Sequence, residues 1–249
     1  MIQSYELTIF NWFLVLLCAS LIGMSKTGLS GVGLVVVPIL ASIFGGKPSV
    51  GLLLPILIFA DIFAVSYYNR HADWKYVLKV LPWAVAGILI GVFIGHMVND
   101  RIFKQLIGMV IMLGIGLMIW QDTRKKAVVI PDFWWFSMVL GLAGGFATMI
   151  GNAAGPILAM YLLSMRLPKN TYIGTTAWFF FIVNVFKVPF HVFIWKTITP
   201  ESFWFDVLMI PAIAAGAIGG FYLVKLFPEK AYRIFIIVST VAASLFLFK

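Results

Sequence analysis

Long apolar segments separated by short polar turns run along the whole chain. A helix needs roughly 20 residues to cross a bilayer core of about 30 Å. Six apolar segments have about this length, and they are residues 50–68, 77–98, 102–120, 172–195, 203–224 and 231–248. The pattern therefore predicts an all-α polytopic membrane protein whose polar turns lie at the membrane surfaces.

Two further apolar regions, residues 7–44 and 133–163, are interrupted by glycines and polar residues. The second would form roughly 46 Å of helix at 1.5 Å per residue, which is too long for one upright span and short for two. We predict a broken pair of half-length helices in each region, a backbone shape tolerated only where protein or water surrounds it. Each pair either re-enters the membrane as a hairpin or forms two short spans.

An internal repeat divides the chain into a first repeat, residues 1–126, and a second, residues 127–249. Aligning the two places Gly23 on Gly141, Gly33 on Gly151, and the run Pro-Ile-Leu-Ala at 38–41 on the same run at 156–159. Each repeat then holds one broken pair and three full spans, which gives eight to ten membrane segments in all. Because the number of crossings per repeat is odd, the two repeats are expected to be inverted.

The distribution of positive charge predicts the topology. One set of loops carries Arg70, Lys75, Lys79, Arg124, Lys125, Lys126, Arg166, Lys169, Lys225, Lys230 and Arg233. The other set and the C-terminus carry Lys47, Arg101, Lys104, Lys196 and Lys249. Positive residues favour the cytoplasmic side, so both termini are expected outside and the two breaks are expected to meet near the midplane.

Composition excludes several classes of protein. The chain is 62% hydrophobic and 11% charged, against roughly 25% charged residues in soluble domains. Its 18 lysines and arginines, which give a net charge of +9, are scattered among apolar segments, so we expect no nucleic-acid partner. A single cysteine, Cys18, and the lack of Cys or His pairs at metal-binding spacing predict no metal and no cofactor. No ATP-binding loop motif is present.

The two breaks carry groups that suit an anion. The first break covers residues 23–31 and contains several glycines together with Ser25, Lys26 and Thr27. Its glycines, Gly28 among them, leave backbone N–H groups accessible, and the other three residues add two hydroxyls and one positive charge. The second, residues 143–148 with Gly151 and Asn152 beyond it, offers Gly145, Thr148 and Asn152. These residues are the predicted substrate-binding set. In the alternative interpretation Lys26 lies at a cytoplasmic turn and the glycines only pack helices.

Two ionisable residues, Asp61 and Lys187, are expected inside the full spans, where a charge is costly. Asp61 aligns in the repeat with Asn184, one helical turn before Lys187, and pseudosymmetry predicts that these segments face each other. Asp61 is a candidate for proton coupling and Lys187 for a further anion contact. Alternatively the two residues form a structural ion pair. The three histidines are expected at the ends of spans, near the membrane interfaces.

The first half of the chain carries a recognisable set of residues, which are Gly23, Ser25, Lys26, Thr27, Gly28, Gly31, Pro38, Leu54, Pro55, Asp61, Tyr68, Arg70, Trp74, Pro82, Gly87 and Gly91. This set resembles the sulfite exporter TauE/SafE family of membrane permeases. The second half departs from the family at residues 151–155, where members commonly have a run richer in glycine. The resemblance implies a carrier in the bacterial inner membrane for sulfur-containing oxyanions or small organic anions.

These observations predict a secondary transporter, not an enzyme. Its partners would be the lipid bilayer and a small anion such as sulfite, a sulfonate or sulfoacetate, with the proton as a candidate coupling ion. An anion channel of the same architecture is the main alternative. The sequence leaves open the direction of transport, the coupling ion and the oligomeric state.

Overall fold

The computed structural model describes residues 7–26, 31–123, 133–165, 167–226, 237–238, 241–242 and 245. The α-helices of this part are α1 (Ile9–Lys26), α2 (Val32–Phe44), α3 (Gly46–Tyr68), α4 (Trp74–Met97), α5 (Asp100–Thr123), α6 (Trp134–Gly151), α7 (Gly155–Ser164), α8 (Lys169–Pro189), α9 (Pro200–Leu208) and α10 (Ile210–Leu226). A 3-10 turn, Asn69–His71, follows α3, and a π-helix, Phe190–Ile194, continues α8. No strand occurs among the described residues.

Within the described residues, seven helical segments are long and apolar enough to cross a membrane. They are Ile9–Lys26, Gly46–Ser66, Trp74–Met97, Asp100–Trp120, Trp134–Gly151, Asn170–Ile194 and Pro200–Gly219. The prediction of an all-α polytopic membrane protein is therefore confirmed. The predicted last span, residues 231–248, falls almost wholly outside the described residues.

The two interrupted regions each form one long helix followed by a short one. α1 and α6 have 18 residues each, whereas α2 has 13 and α7 has 10. The prediction of two half-length helices is therefore wrong for the first member of each pair, which is long enough to cross. The short second member leaves each region with an unequal pair.

The second break lies later than the sequence predicted. α6 is continuous through residues 143–148 and ends at Asn152, which adopts a left-handed conformation with φ of 50° and donates its N–H to Ala147 and Thr148. Asparagine tolerates this conformation better than most residues and is a common helix terminator. The chain then passes through Ala153 and Ala154 into α7. The break is thus at residues 152–154, and the predicted tip is an ordinary stretch of helix.

Two helix pairs, α4 with α6 and α1 with α10, make the most extensive contacts among the described helices. Each pair joins the first half of the sequence to the second. Glycines bring the backbones together: a methyl group on Gly145 would collide with the carbonyl oxygen of Ala84, and one on Gly23 would collide with that of Ile213. Small residues at such crossings allow the close backbone packing that holds membrane helices together.

α3 and α8 pack against each other in the interior. α3 carries many of the buried side chains of the larger apolar cluster, among them Leu53 and Ile56. Near its start each helix packs against a turn from the other half of the sequence: Gly51 of α3 lies against Thr197, and Gly174 of α8 lies against the backbone of His71 and Ala72. One face of each helix is therefore held against the other half of the chain.

Candidate functional site

A buried carboxylate lies at the contact between α1, α3 and α8. Lys26, at the end of α1, donates to one oxygen of Asp61 at 2.5 Å, and the amide of Asn184 donates to the other at 2.7 Å. The Asp61 side chain is fully buried, whereas that of Lys26 is 17% exposed. The Lys26 ammonium also lies 4.9 Å from the centre of the Phe180 ring. Asp61 is thus held by one cation and one amide.

A buried lysine occupies a second position, where α8 meets the end of α6. The Lys187 ammonium donates to the carbonyl oxygen of Thr148 at 3.1 Å, to its hydroxyl at 3.0 Å, and to the side-chain oxygen of Asn152 at 2.6 Å. The amide of Asn152 in turn donates to the carbonyl of Val50 at 3.3 Å. All three acceptors of Lys187 are neutral, although its side chain is fully buried.

Together these contacts form one polar centre across four helices. Asn184 lies one helical turn before Lys187 on α8, so α8 links the Asp61 cluster to the Lys187 cluster. The described residues contain no direct ion pair between Asp61 and Lys187, because Asp61 pairs with Lys26 instead. Counted with both lysines protonated and Asp61 ionised, the polar centre holds two cations and one anion.

The structure brings together most, but not all, of the residues predicted to bind substrate. Lys26, Thr148, Asn152 and Lys187 lie in the polar centre. Ser25 precedes Lys26 at the end of α1, with its hydroxyl near Gly33 of α2.

The remaining predicted residues lie elsewhere. Gly145 is the exception within the described residues, because it faces the α4 backbone and its N–H belongs to the interior of α6. Gly145 thus lies away from the polar centre, and its role as a substrate contact stays a prediction. Thr27 and Gly28 lie outside the described residues.

Two further buried ionisable residues were not predicted. His191, on the π-helix three residues before the end of the segment Asn170–Ile194, is completely buried, whereas His71 and His96 are exposed. The expected position of the histidines at the membrane interfaces stays a prediction. Asp206 on α9 is completely buried as well. In the sequence, Asp206 is the fourth residue of the predicted span 203–224, a position that is typical of a residue at the membrane interface. α9 instead begins at Pro200, after a capping box between Thr199 and Ser202, so Asp206 lies well inside the segment.

An apolar cavity of about 240 Å³ adjoins the end of α1. Its described walls come from three helices and are Gly23, Lys26, Ala60, Phe63, Ala64, Tyr68, Ile213, Ala214, Ala217 and Ile218. Lys26 therefore borders open space on one side and Asp61 on the other. The described residues contain no group of three or more His, Cys, Asp or Glu side chains placed to hold a metal ion.

The helical architecture with a charged centre defines a multi-pass membrane protein, and comparison with known proteins gives its family. Residues 14–247 match the family model described as Sulfite exporter TauE/SafE. Because this match covers nearly the whole chain, the protein belongs to the TauE/SafE family of membrane transporters, and the resemblance noted in the sequence is confirmed.

A more distant match is the "Probable membrane transporter protein MamO" of Paramagnetospirillum magneticum (strain ATCC 700264 / AMB-1), which is 24% identical to this chain. The alignment covers 39% of this chain and 19% of that protein, so the chain spans only a small part of its relative's length. No solved structure matches.

Proposed function

We propose that this protein is a secondary transporter of a small anion, either a sulfur-containing oxyanion or an organic anion such as sulfite, a sulfonate or sulfoacetate. It would work by alternating access between two inverted repeats in a bacterial inner membrane, with both termini outside. The observation that carries the proposal is the fully buried Lys187, whose three hydrogen-bond acceptors are all neutral.

A charge at the centre of a bilayer costs at least about 2.5–3.5 kcal/mol on insertion scales, and such residues in transporters usually serve the substrate pathway. With Lys26 and Lys187 protonated and Asp61 ionised, the centre carries one uncompensated positive charge. One monovalent anion brings that charge to zero, and a divalent anion does so when Asp61 is protonated. An oxyanion can also accept hydrogen bonds from both ammonium groups, which strengthens the interaction where water is scarce.

Asp61 supplies a route for proton coupling. An anion that contacts Lys26 competes with the Asp61 carboxylate for the same ammonium group. Asp61 is fully buried, and a carboxylate that loses its partner there becomes costly to keep ionised. Uptake of one proton by Asp61 removes that cost. Anion and proton would then move together across the membrane.

The test is uptake of sulfite, isethionate and acetate into liposomes that contain the purified protein. We expect saturable uptake of at least one anion, and a 10- to 100-fold loss of kcat/KM in Lys187→Met, because a hydrogen bond from a charged group contributes about 1.5–3 kcal/mol. Lys104→Met is the matched control, since Lys104 pairs with Asp100 four residues before it and is partly exposed. Its uptake should stay within about twofold of the wild type.

The outcomes separate the parts of the proposal. Failure of all three anions to enter, or to stabilise the protein against heat, would overturn the assignment of an anion substrate. Flux that rises linearly with concentration and carries current would identify a channel. If a pH gradient changes uptake equally in the wild type and in Asp61→Asn, Asp61 does not couple protons, and the anion assignment still stands.

A further inference from the structure

One face of α8 and its π-helical continuation carries a row of buried polar side chains. Asn184, Lys187 and His191 are spaced three and four residues apart, which places them on the same side of a helix over roughly 10 Å. All three are buried, with at most 1% of their surface exposed. The polar centre therefore continues along α8 beyond Lys187.

The His191 ring is held in one orientation. Its Nδ1 lies 2.8 Å from the hydroxyl of Thr197, and the Trp195 ring packs edge-on with a centroid separation of 4.9 Å. Its backbone carbonyl accepts from the N–H groups of Thr197 and Ile198 at 2.8 and 3.3 Å. These contacts fix the position of Nε2 at the other end of the ring, as a positioned ligand contact requires.

The π-helix that carries His191 has a local cause. Pro189 has no N–H to donate to the preceding turn, and the helix continues with wider turns, as in the bond from the Trp195 N–H to the carbonyl of Phe190. Single π-helical turns within longer helices are frequent at functional sites. Here the wider turn presents His191 beyond Lys187 instead of continuing the regular α-helix.

Nε2 of His191 is buried and has no hydrogen-bond partner among the described residues. A buried polar atom without a partner costs about 1–3 kcal/mol, and such atoms in native proteins usually have a role. Lys187, four residues before His191 on the same face, has no charged partner among the described residues. An anion placed between the two side chains would meet an ammonium group with only neutral contacts and a ring nitrogen with none.

We propose that His191 contacts the transported anion through Nε2, next to Lys187, and that the pair selects anions with several oxygens. The inference rests on the proposed function. When the Thr197 hydroxyl donates to Nδ1, the ring proton lies on Nε2, which then donates to the substrate. One oxygen of a sulfite or sulfonate meets Lys187 and another meets His191. A single-atom anion such as chloride cannot reach both groups in the same way.

Two substitutions separate this role from a structural one, with sulfite uptake into liposomes as the assay. His191→Gln keeps an N–H near the position of Nε2, whereas His191→Asn keeps an amide near the position of Nδ1, facing Thr197. We expect a sulfite KM within about threefold of the wild type for His191→Gln, and at least about tenfold higher for His191→Asn, with kcat changed less than KM. Inhibition of sulfite uptake by chloride should strengthen in His191→Asn.

The opposite ranking, normal KM in His191→Asn and impaired uptake in His191→Gln, would show that the ring serves only to hold Thr197. Equal KM values in the two variants would overturn the proposal as well. If either variant fails to fold, Thr197→Val takes its place, because it keeps the ring and removes the hydroxyl that orients it. We expect a KM increase of several-fold there, and an unchanged KM would refute the proposal. A wild-type protein without sulfite uptake contradicts the proposed function instead.

Discussion

The ion pair between Lys26 and Asp61 allows a quantitative test of what holds the polar centre together. Lys26→Met keeps most of the side-chain length but removes the charge, leaving Asp61 fully buried with Asn184 as its remaining partner. Asp61→Asn leaves Lys26 without a carboxylate, but its side chain is 17% exposed and its ammonium lies over the Phe180 ring. The two single substitutions therefore leave different residual charges behind.

Removing one partner of a buried ion pair costs about 3–5 kcal/mol, because an uncompensated charge stays behind. We expect Lys26→Met near the upper end of this range at a pH where Asp61 stays ionised, since Asp61 has no access to solvent; at lower pH, proton uptake by Asp61 reduces the cost. The cost of Asp61→Asn should be near the lower end of the range, since the Lys26 ammonium is partly exposed to solvent and lies over the Phe180 ring. The double variant loses the pair but leaves neither charge, so it should lie within about 2 kcal/mol of the wild type.

The assay is thermal unfolding of the purified protein in detergent, followed by tryptophan fluorescence. With a change in Tm of about 2–4 °C per kcal/mol for a chain near this size, Lys26→Met should unfold at least about 10 °C below the wild type. The double variant should recover most of that loss, which a double-mutant cycle reports as a coupling energy. If the double variant is no more stable than Lys26→Met, the two charges do not stabilise each other and the description of the pair is wrong.

Two further predictions concern residues outside the polar centre. Gly23→Ala should lower the Tm, because the added methyl meets the Ile213 carbonyl and pushes α1 away from α10, at a cost of about 1–3 kcal/mol. Gly116→Ala is the control: its new methyl would lie in open space, so the Tm of this variant should not fall. Asp206→Asn should raise the Tm by a few degrees, because both Asp206 oxygens are buried without a partner among the described residues. A fall in its Tm would mean that the carboxylate is compensated.

The long helices could be predicted from the sequence because the thickness of the bilayer fixes their length. Apolar segments 50–68 and 77–98 correspond to α3 and α4 with only small differences at their ends. The break in the second interrupted region was placed too early, at its glycines. Whether a glycine ends a helix or lets a neighbouring helix approach depends on tertiary packing. Gly145 lets a neighbouring helix approach, because it packs directly against the backbone of Ala84.

The polar centre was only partly predictable, for a similar reason. The repeat aligned Asp61 with Asn184, and the structure places these two side chains in contact. The sequence could not show which lysine pairs with Asp61, because Lys26 and Lys187 lie on different helices whose relative positions depend on all the others. His191 and Asp206 were missed since each stands near the end of an apolar segment, where hydropathy does not distinguish an interfacial residue from a buried one.

The two halves place their lysines differently. In the first, the cation stands at the end of α1 and its acceptor in the middle of α3; in the second, the cation stands in α8 and its acceptors at the end of α6. Lys187 therefore has only neutral contacts to release, whereas Lys26 must leave a carboxylate. In the proposed transport cycle, binding of the anion to Lys187 therefore requires only neutral hydrogen bonds to be released, whereas binding to Lys26 also requires a proton to take the place of Lys26 on Asp61.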